Sequence, residues 1–514
     1  MLTREHVLAG LPERLHQIIE RHPRSHDQAP ALHEGGQTFS YGELREAVTH
    51  LAAQFETDGI RSGDRVMLVA ENCALLVAAL LALSRLDAWS VVVNARLSAA
   101  EIDNIRNHSG ARRVLFASAV SKEAATHAER AGAELRSTAR LGSYHLGPLN
   151  AHCQPEPVEP DPARQVAAMI YTTGTTGAPK GVMLTHRNLL YIAHSASLLR
   201  QLCNLDRVYA VLPISHVYGL SAVCLASLFA GAALQLEARF DPQELARALR
   251  EDGVTLMQGV PAMYARLLEL ADSGQIELHA PHLRFMYAGG SPLDMTLKTA
   301  VEQRFGIALH NGYGLTESSP TVSQTRIDEP RSDTSVGRPI PGLEILLMNS
   351  ARTAAVAQGE VGELWVRGPN VMKGYYRAPD KTGEVLTVDG WLNTGDMARQ
   401  DDDGALFIVG RSKELIIRSG FNVYPPEVEA ALVAFPGVVM TAVVGRPVEG
   451  NEEVVAFLQV ADRSAFDVSA LRAFLAERLS PYKRPSHICV LDNLPAAATG
   501  KILKHELKKL AEAL

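Results

Sequence analysis

Several things are scarce in this 514-residue chain, and each scarcity excludes something. It has five cysteines, Cys73, Cys153, Cys203, Cys224 and Cys489, an odd and scattered set with no Cys-x-x-Cys pair. A disulfide framework or a zinc cluster built on such pairs is excluded, and isolated buried thiols in a reducing, cytoplasmic compartment are expected. Positive charge is also short: 50 Lys and Arg stand against 57 Asp and Glu, a net charge of −7. A general nucleic-acid binder would carry a basic field, so no nucleic-acid partner is expected. The first residues, Met1 to Gln17, carry charges throughout and lack the apolar core of a secretory signal. Val208 to Leu236 holds no Asp, Glu, Lys or Arg, but Pro213, Gly219 and Gly231 interrupt it. It reads as strand, loop, helix and strand inside a globular domain, so no membrane span is expected.

What is present is a long chain with 46% hydrophobic residues, enough for more than one core. Leu44, Val48, Leu51 and Phe55 share one helical face within Glu43 to Phe55. Val66 to Val69, Val91 to Val93 and Arg113 to Phe116 are short apolar strands, and Ala74 to Leu86 is an apolar helix between them. Strands alternating with helices imply an α/β sheet. Pro155 to Pro162 reads as an extended acidic linker. After Gly410 the texture changes to short strands (Thr441–Gly445, Val454–Val460, His487–Leu491) and helices (Leu471–Leu479, Ile502–Leu510). The expected organisation is a large N-terminal α/β domain, 1–410, with layered sheets and helices, then a hinge at 411–413 and a small mobile α+β domain, 414–514.

The most informative segment follows the apolar strand Val166 to Tyr171: Thr172-Thr173-Gly174-Thr175-Thr176-Gly177-Ala178-Pro179-Lys180. Glycines let backbone N–H groups converge on an anion, threonine hydroxyls add donors, and a lysine adds a mobile positive charge. The spacing is not G-x-x-x-x-G-K-[ST], so a P-loop kinase or GTPase is excluded. A second segment, Asn311-Gly312-Tyr313-Gly314-Leu315-Thr316-Glu317, offers a ring to stack on a base, a hydroxyl, and a carboxylate suited to Mg²⁺. Gly289-Gly290-Ser291 permits close backbone approach to a flat ligand, though any strand-to-helix turn reads this way. Asp396 and Arg411 are either ribose ligands or a structural ion pair.

Taken in order from about Phe39 to Leu507, these segments resemble the signatures of the adenylate-forming superfamily, which includes acyl-CoA synthetases, beetle luciferases and the adenylation domains of peptide synthetases. The resemblance implies an enzyme that uses ATP, Mg²⁺ and coenzyme A to convert a carboxylic acid to an acyl-adenylate and then a thioester. It implies that Tyr313 meets adenine, Thr316 the α-phosphate, and Glu317 with Thr173 the Mg²⁺. It implies that Lys501, in Thr499-Gly500-Lys501, reaches the reacting carboxylate. Ala496 stands where many relatives carry a basic residue. Lys413 matches the hinge, and Ser419, Gly420 and Phe421 match the pantetheine channel after domain rotation. Leu212 to Gly219 matches the acyl-pocket wall, with His216 as gate, although Ser215 stands where relatives often have an aromatic.

The acyl pocket is expected from Tyr218, Val260, Met263, Tyr287 and Ala288, with Met257 and Met286 nearby. These are mostly apolar, which suits an aryl, cinnamate-like or medium-chain acid; Arg284 is the one arginine in these segments that could pair a second carboxylate. A stand-alone enzyme that loads a carrier protein and a non-catalytic nucleotide sensor stay open as alternatives. A luciferase-type oxygenase is disfavoured by the lack of a luciferin pocket. A homodimer is the expectation from how commonly soluble proteins pair.

Overall fold

The computed structural model describes residues 2–173, 179–419, 421–448, 451–496 and 502–514, and the side chains of Thr173 and Pro179 lie outside that description. The chain divides into two compact units. The first comprises 1–290, 300–344 and 366–392; the second comprises 291–299, 345–365 and 393–514.

Two large sheets dominate the first unit. One has nine strands, in the order Arg338–Pro339, Thr321–Gln324, Leu309–Gly314, Phe285–Ala288, Leu256–Gly259, Arg207–Ala210, Ala233–Leu236, Pro30–Glu34 and Gln37–Ser40. Its centre, from Leu309–Gly314 to Pro30–Glu34, is parallel, and its margins are antiparallel. The other has eight strands, with Val166–Thr173, Trp89–Asn94, Arg65–Ala70 and Arg113–Phe116 forming its parallel centre. Strands buried on both faces read as unbroken apolar runs, and all six residues of Arg65–Ala70 are buried. Arg65 is tolerated there because its guanidinium donates to the carbonyls of Ser109 (3.0 Å) and Gln154 (2.6 Å) and faces Glu156 (3.5 Å).

The helix expected at Glu43 to Phe55 runs Tyr41–Thr57, started by a capping box between Ser40 and Glu43. The apolar helix after Cys73 covers Ala74–Arg85. The charge-free stretch folds as expected, with strand Arg207–Ala210, a π-helical segment Tyr218–Leu225, helix Ala226–Ala230 and strand Ala233–Leu236. Among the described residues no helix is long and apolar enough to cross a membrane.

Two expectations need correction. The acidic linker is strapped to the first unit: the Glu156 N–H donates to the Gly63 carbonyl (2.9 Å) and its carboxylate accepts from the Tyr376 hydroxyl (2.7 Å). A Cβ on Gly63 would sit 2.0 Å from the Glu156 carbonyl oxygen, so this close approach requires glycine there. The five thiols are not all buried either. Cys73, Cys153 and Cys224 are, but Cys203, in a polar turn before Asp206, is exposed and Cys489 is half-buried. Burial pushes the Cys73 and Cys224 thiols up to about 12, so both stay protonated and inert.

In the second unit, strands Val438–Val448, Asn451–Val460 and His487–Val490 form a three-stranded sheet. Alternation splits its side chains: Val443, Val454 and Ala456 face helices Pro425–Val433 and Val468–Arg478, while Ala442, Val444 and Val455 face helix Lys504–Glu512. The helix Pro425–Val433 is additional to the elements expected here, and its two leading prolines fit the helix N-terminus. The expected hinge, 411–413, falls inside this unit, which begins at Asn393 on this stretch of chain.

Candidate active site

Ligands of open α/β sheets collect at the carboxyl ends of parallel strands. In the nine-stranded sheet those ends carry Gly289-Gly290 after Phe285–Ala288, Val260 after Leu256–Gly259, and Gly312 to Gly314 at the end of Leu309–Gly314. Ala288 is fully buried in its strand, and Met257 and Met286 are paired neighbours, both fully buried. The sequence separations among these residues are large, and the parallel register alone brings them side by side.

The glycines there are demanded by contacts. A Cβ on Gly312 would lie 1.8 Å from the Tyr287 hydroxyl, and one on Gly314 would lie 1.9 Å from the Pro320 carbonyl oxygen. At Gly289 it would press on the rings of Tyr287 (3.1 Å) and Tyr218 (3.3 Å). Those rings meet edge to face at 6.0 Å, and both side chains are almost fully buried. Burial pushes both phenols up, that of Tyr218 well above 10.0, so both keep their protons. Met263 and Val260 line the neighbouring space, at 3.4 Å from a Cβ on Gly259 and 3.7 Å from one on Gly290.

The strands on either side of the glycine- and threonine-rich segment pair with each other. Val166–Thr173 pairs antiparallel with Pro179–Thr185, with Thr172 opposite Lys180. Gly174, Thr175, Thr176 and Gly177 lie outside the described residues, as does the side chain of Thr173. Lys180 places its ammonium 4.8 Å from the centre of the Tyr375 ring. The Tyr375 hydroxyl donates to Glu317 Oε1 at 2.8 Å. Three segments remote in sequence thus bring a cation, an aromatic ring and a carboxylate into one line.

The supports of this line are local. Thr316 and Glu317 sit in a short 3₁₀ turn, Thr316–Ser318, after strand Leu309–Gly314. Asn370 donates to the carbonyls of Ser318 (3.0 Å) and Thr321 (2.9 Å), and the Met372 N–H donates to the Glu317 carbonyl (2.9 Å). Asn188, in the first turn of helix His186–Leu199, donates to the carbonyls of Pro369 (2.7 Å) and Val371 (2.9 Å). These bonds fix the strand Gly374–Tyr375 against Pro179–Thr185.

Asn311 straps backbone: its amide nitrogen donates to the carbonyls of Thr334 and Ser335, both at 3.2 Å. Tyr313 is half-buried at the strand's end. His216 is exposed, and its Nδ1 accepts the Tyr218 N–H at 3.2 Å. Arg284 is held by Asp206 (2.6 Å) and the Gln201 carbonyl (2.8 Å), so it does not serve the pocket as a partner for a second carboxylate. Ser291 is exposed and belongs to the second unit.

In the second unit, Asp396 lies directly opposite Arg411 across two antiparallel strands, Oδ1 to Nε 3.4 Å apart. Lys413 is exposed in the 3₁₀ turn Ser412–Glu414. Ser419 has φ +51°, its N–H donating to Asn451 Oδ1 (2.6 Å), and Phe421 is exposed and stacks on Tyr482 at 4.5 Å. Gly420 and Lys501 lie outside the described residues. Next to Lys501, Ala496 and Ile502 form a β-bridge.

Two residues were missed by the sequence reading. Tyr375 sits in Gly374-Tyr375-Tyr376-Arg377, an aromatic pair beside a cation that in hindsight suits a charged site. Arg200 follows the apolar helix His186–Leu199 and looks like an ordinary helix-end charge, yet it is completely buried.

The AMP-binding enzyme family model matches residues 19–376, and the AMP-binding enzyme C-terminal domain model matches 427–501. The chain belongs to the AMP-binding enzyme family. It is 36% identical to feruloyl-CoA synthase of Amycolatopsis sp over 491 residues, covering 95% of this chain and 97% of that one. It is 32% identical to 4-coumarate–CoA ligase 5 of Oryza sativa subsp. japonica over 515 residues, covering 97% and 94%. Among solved structures it resembles o-succinylbenzoate coenzyme A synthetase from Bacillus subtilis, in complex with ATP and magnesium ion, with TM-score 0.81 and 28% identity over 96% of this chain and 98% of that one.

A magnesium ion fits the family member described here. The ion prefers oxygen and is held by one or two carboxylates plus substrate phosphates. Glu317 offers one carboxylate, oriented by Tyr375, and no cluster of three metal-ligating side chains occurs among the described residues. Such a site suits a metal that arrives with the nucleotide.

Proposed function

We propose that this AMP-forming acyl-CoA synthetase acts on an aryl or cinnamate-like carboxylic acid. The observation that carries the reading is that the strand Leu309–Gly314 packs on Tyr287 at Gly312, where Tyr287 meets Tyr218 in an apolar wall, and then leads into Glu317, which joins Tyr375 and Lys180 in a polyphosphate-type site. ATP, Mg²⁺ and coenzyme A are its co-substrates. A carboxylate oxygen of the acid attacks the α-phosphorus of ATP, and the bond to pyrophosphate breaks. The thiol sulfur of coenzyme A then attacks the acyl carbon, the thiol loses its proton, and AMP leaves with the electron pair of the broken C–O bond.

In this reading the threonine and glycine loop, Thr172 to Gly177, and Lys180 hold the phosphates. Gly289, Gly290 and Ser291 border adenine, Tyr313 stacks on it, and Asn311, Gly312 and Gly314 shape that edge. Thr316 bonds the α-phosphate, and Glu317 with Thr173 holds Mg²⁺. Asp396 accepts from the ribose hydroxyls with Arg411 beside it. Lys501 neutralises charge between the acid and the α-phosphate. His216 gates an acyl pocket of Tyr218, Val260, Met263, Tyr287 and Ala288. Rotation about Lys413 exchanges Lys501 for Ser419, Gly420 and Phe421, which line the path of the thiol. The enzyme works in the cytoplasm as a homodimer and needs no nucleic acid.

Feruloyl-CoA synthase and 4-coumarate–CoA ligase among the relatives favour a cinnamate-like acid over a medium-chain one. The test is pyrophosphate release and thioester formation, run together on a panel of acids with ATP, Mg²⁺ and coenzyme A. Catalytic turnover to a CoA thioester with an aryl or cinnamate-like acid is the expected result. Release without a CoA thioester would move the acceptor to a carrier protein, and no release with any acid would leave a nucleotide sensor.

A further inference from the structure

Arg200 is a charge buried completely in the first unit, and none of the described residues gives it a carboxylate. Burying a guanidinium without a counter-charge is costly, so its hydrogen-bond partners must offset that cost. One of its terminal nitrogens donates to the Ala222 carbonyl (2.5 Å), on the π-helical segment, and to Gln258 Oε1 (2.6 Å). The other donates to Gln324 Oε1 at 3.4 Å. The guanidinium carbon stands 4.8 Å from the centre of the Tyr287 ring.

Both glutamines spend their oxygens on Arg200, which turns their NH₂ groups elsewhere. Gln258 Nε2, Gln324 Nε2, Arg200 Nε and the Tyr218 hydroxyl are all buried without a hydrogen-bond partner. Three of these four are donors only, and the fourth can donate. Buried polar groups are nearly always satisfied, so a cluster with a surplus of donors, one of them cationic, asks for an acceptor.

The register says where that acceptor would lie. Gln258 pairs with Tyr287, and Gln324 pairs with Gly312, on adjoining strands of the nine-stranded sheet. Alternation puts Tyr287 and Gly289 on one face of their strand. On that face the Tyr287 hydroxyl fills the space beside Gly312 and the Tyr287 and Tyr218 rings fill that beside Gly289 at the carboxyl edge, and Gln258 with Arg200 lies one step deeper from that edge. The donors therefore stand behind the aromatic wall of the acyl site, at its blind end.

We propose that Arg200, with Gln258, Gln324 and Tyr218, forms a donor subsite at the blind end of the acyl pocket and selects acids whose far end carries a hydrogen-bond-accepting oxygen. The inference rests on the acid-activating reading above and adds a chemical preference to it. Arg200 is the specificity-determining residue because it fixes both glutamines, the π-helical segment and Tyr287 at once. The oxygen accepts from the cluster, and a hydrocarbon end leaves those donors unpaired, which is how a polar site rejects an analogue that lacks the matching atom.

The experiment measures acid-dependent ATP–pyrophosphate exchange with matched pairs: 4-hydroxycinnamate against cinnamate, and 8-hydroxyoctanoate against octanoate. The wild-type enzyme should prefer the oxygenated member of at least one pair by about 10- to 100-fold in kcat/KM. Arg200→Met should lower that member at least tenfold more than its hydrocarbon partner, chiefly through KM, and Arg200→Lys should restore part of the difference. Gln258→Leu, which leaves the charge in place, should reduce the preference in the same direction and serves if Arg200→Met does not fold. Equal loss on both members would make Arg200 a structural residue and overturn the proposal. Equal use or hydrocarbon preference in every wild-type pair would overturn it while leaving the ligase standing. No exchange with any acid would remove the acid-activating reading itself, and this inference with it.

Discussion

Tyr375→Phe isolates one bond in the candidate phosphate and metal site. The ring stays, and with it the contact to the Lys180 ammonium at 4.8 Å; only the hydroxyl donated to Glu317 at 2.8 Å is removed. Burial first, and then the Glu317 charge, push the Tyr375 phenol far up, so the proton sits on tyrosine and the bond is an O–H donated to a carboxylate. Such charge-assisted bonds contribute about 1.5–3 kcal/mol, and the half-buried position of Glu317 argues for the lower end. A loss of about 1.5 kcal/mol in orienting the carboxylate corresponds to about a tenfold fall in kcat/KM for Mg·ATP. The assay is pyrophosphate exchange at subsaturating Mg·ATP, with the thermal midpoint measured alongside. Tyr375→Leu, which also removes the ring beneath Lys180, should fall further, since a cation over a ring adds about 0.5–2 kcal/mol. A Tyr375→Phe enzyme within twofold of wild type, or one indistinguishable from Tyr375→Leu, would refute the role given to the hydroxyl.

Three further outcomes are expected. Gly312→Ala forces a Cβ to 1.8 Å from the Tyr287 hydroxyl and 2.7 Å from the Ser323 carbonyl, so exchange activity should collapse and stability should fall by about 1–3 kcal/mol, read from urea midpoints. Burial holds the imidazoles of His16, His22, His108, His186 and His194 below their ordinary 6.5. The unfolded chain therefore binds protons first, so stability is full above 6.5 and falls as the pH drops below it. His186→Asn, which can still accept the Leu15 N–H, should flatten that fall as the pH drops below 6.5 in urea titrations; an unchanged slope would exclude His186 as a contributor. Finally, Lys413→Pro should leave acid-dependent pyrophosphate exchange largely intact and stop thioester formation, and parallel loss of both half-reactions would rule out a hinge at that residue.

The local record of the sequence was clear wherever periodicity settled the geometry. The helix Tyr41–Thr57 announces itself through an apolar stripe, and the central strands through runs such as Val66 to Val69. The phosphate-type loop, with Lys180 at its end, is legible because its composition states its chemistry, and the family followed from the order of such segments along the chain. Apart from Asp396 and Arg411, ionic and packing partners were not legible. Glu317 and Tyr375 are 58 positions apart, and nothing local in either segment names the other; the antiparallel pairing of Gly374–Tyr375 with Pro179–Thr185 and the straps from Asn188 and Asn370 join them. Arg284 had the right neighbours in sequence for the pocket but is taken up by Asp206, whereas Arg200 looks like a solvated helix end and is sealed beneath Tyr287.

The sequence by itself determined the classes of chemistry at hand, because side-chain type, glycine content and strand periodicity are local properties. Only the tertiary structure decided which charges face which partners. That depends on contacts between strands distant along the chain, where a single-residue shift in register would turn Tyr287 and Gly289 to the opposite face of the sheet.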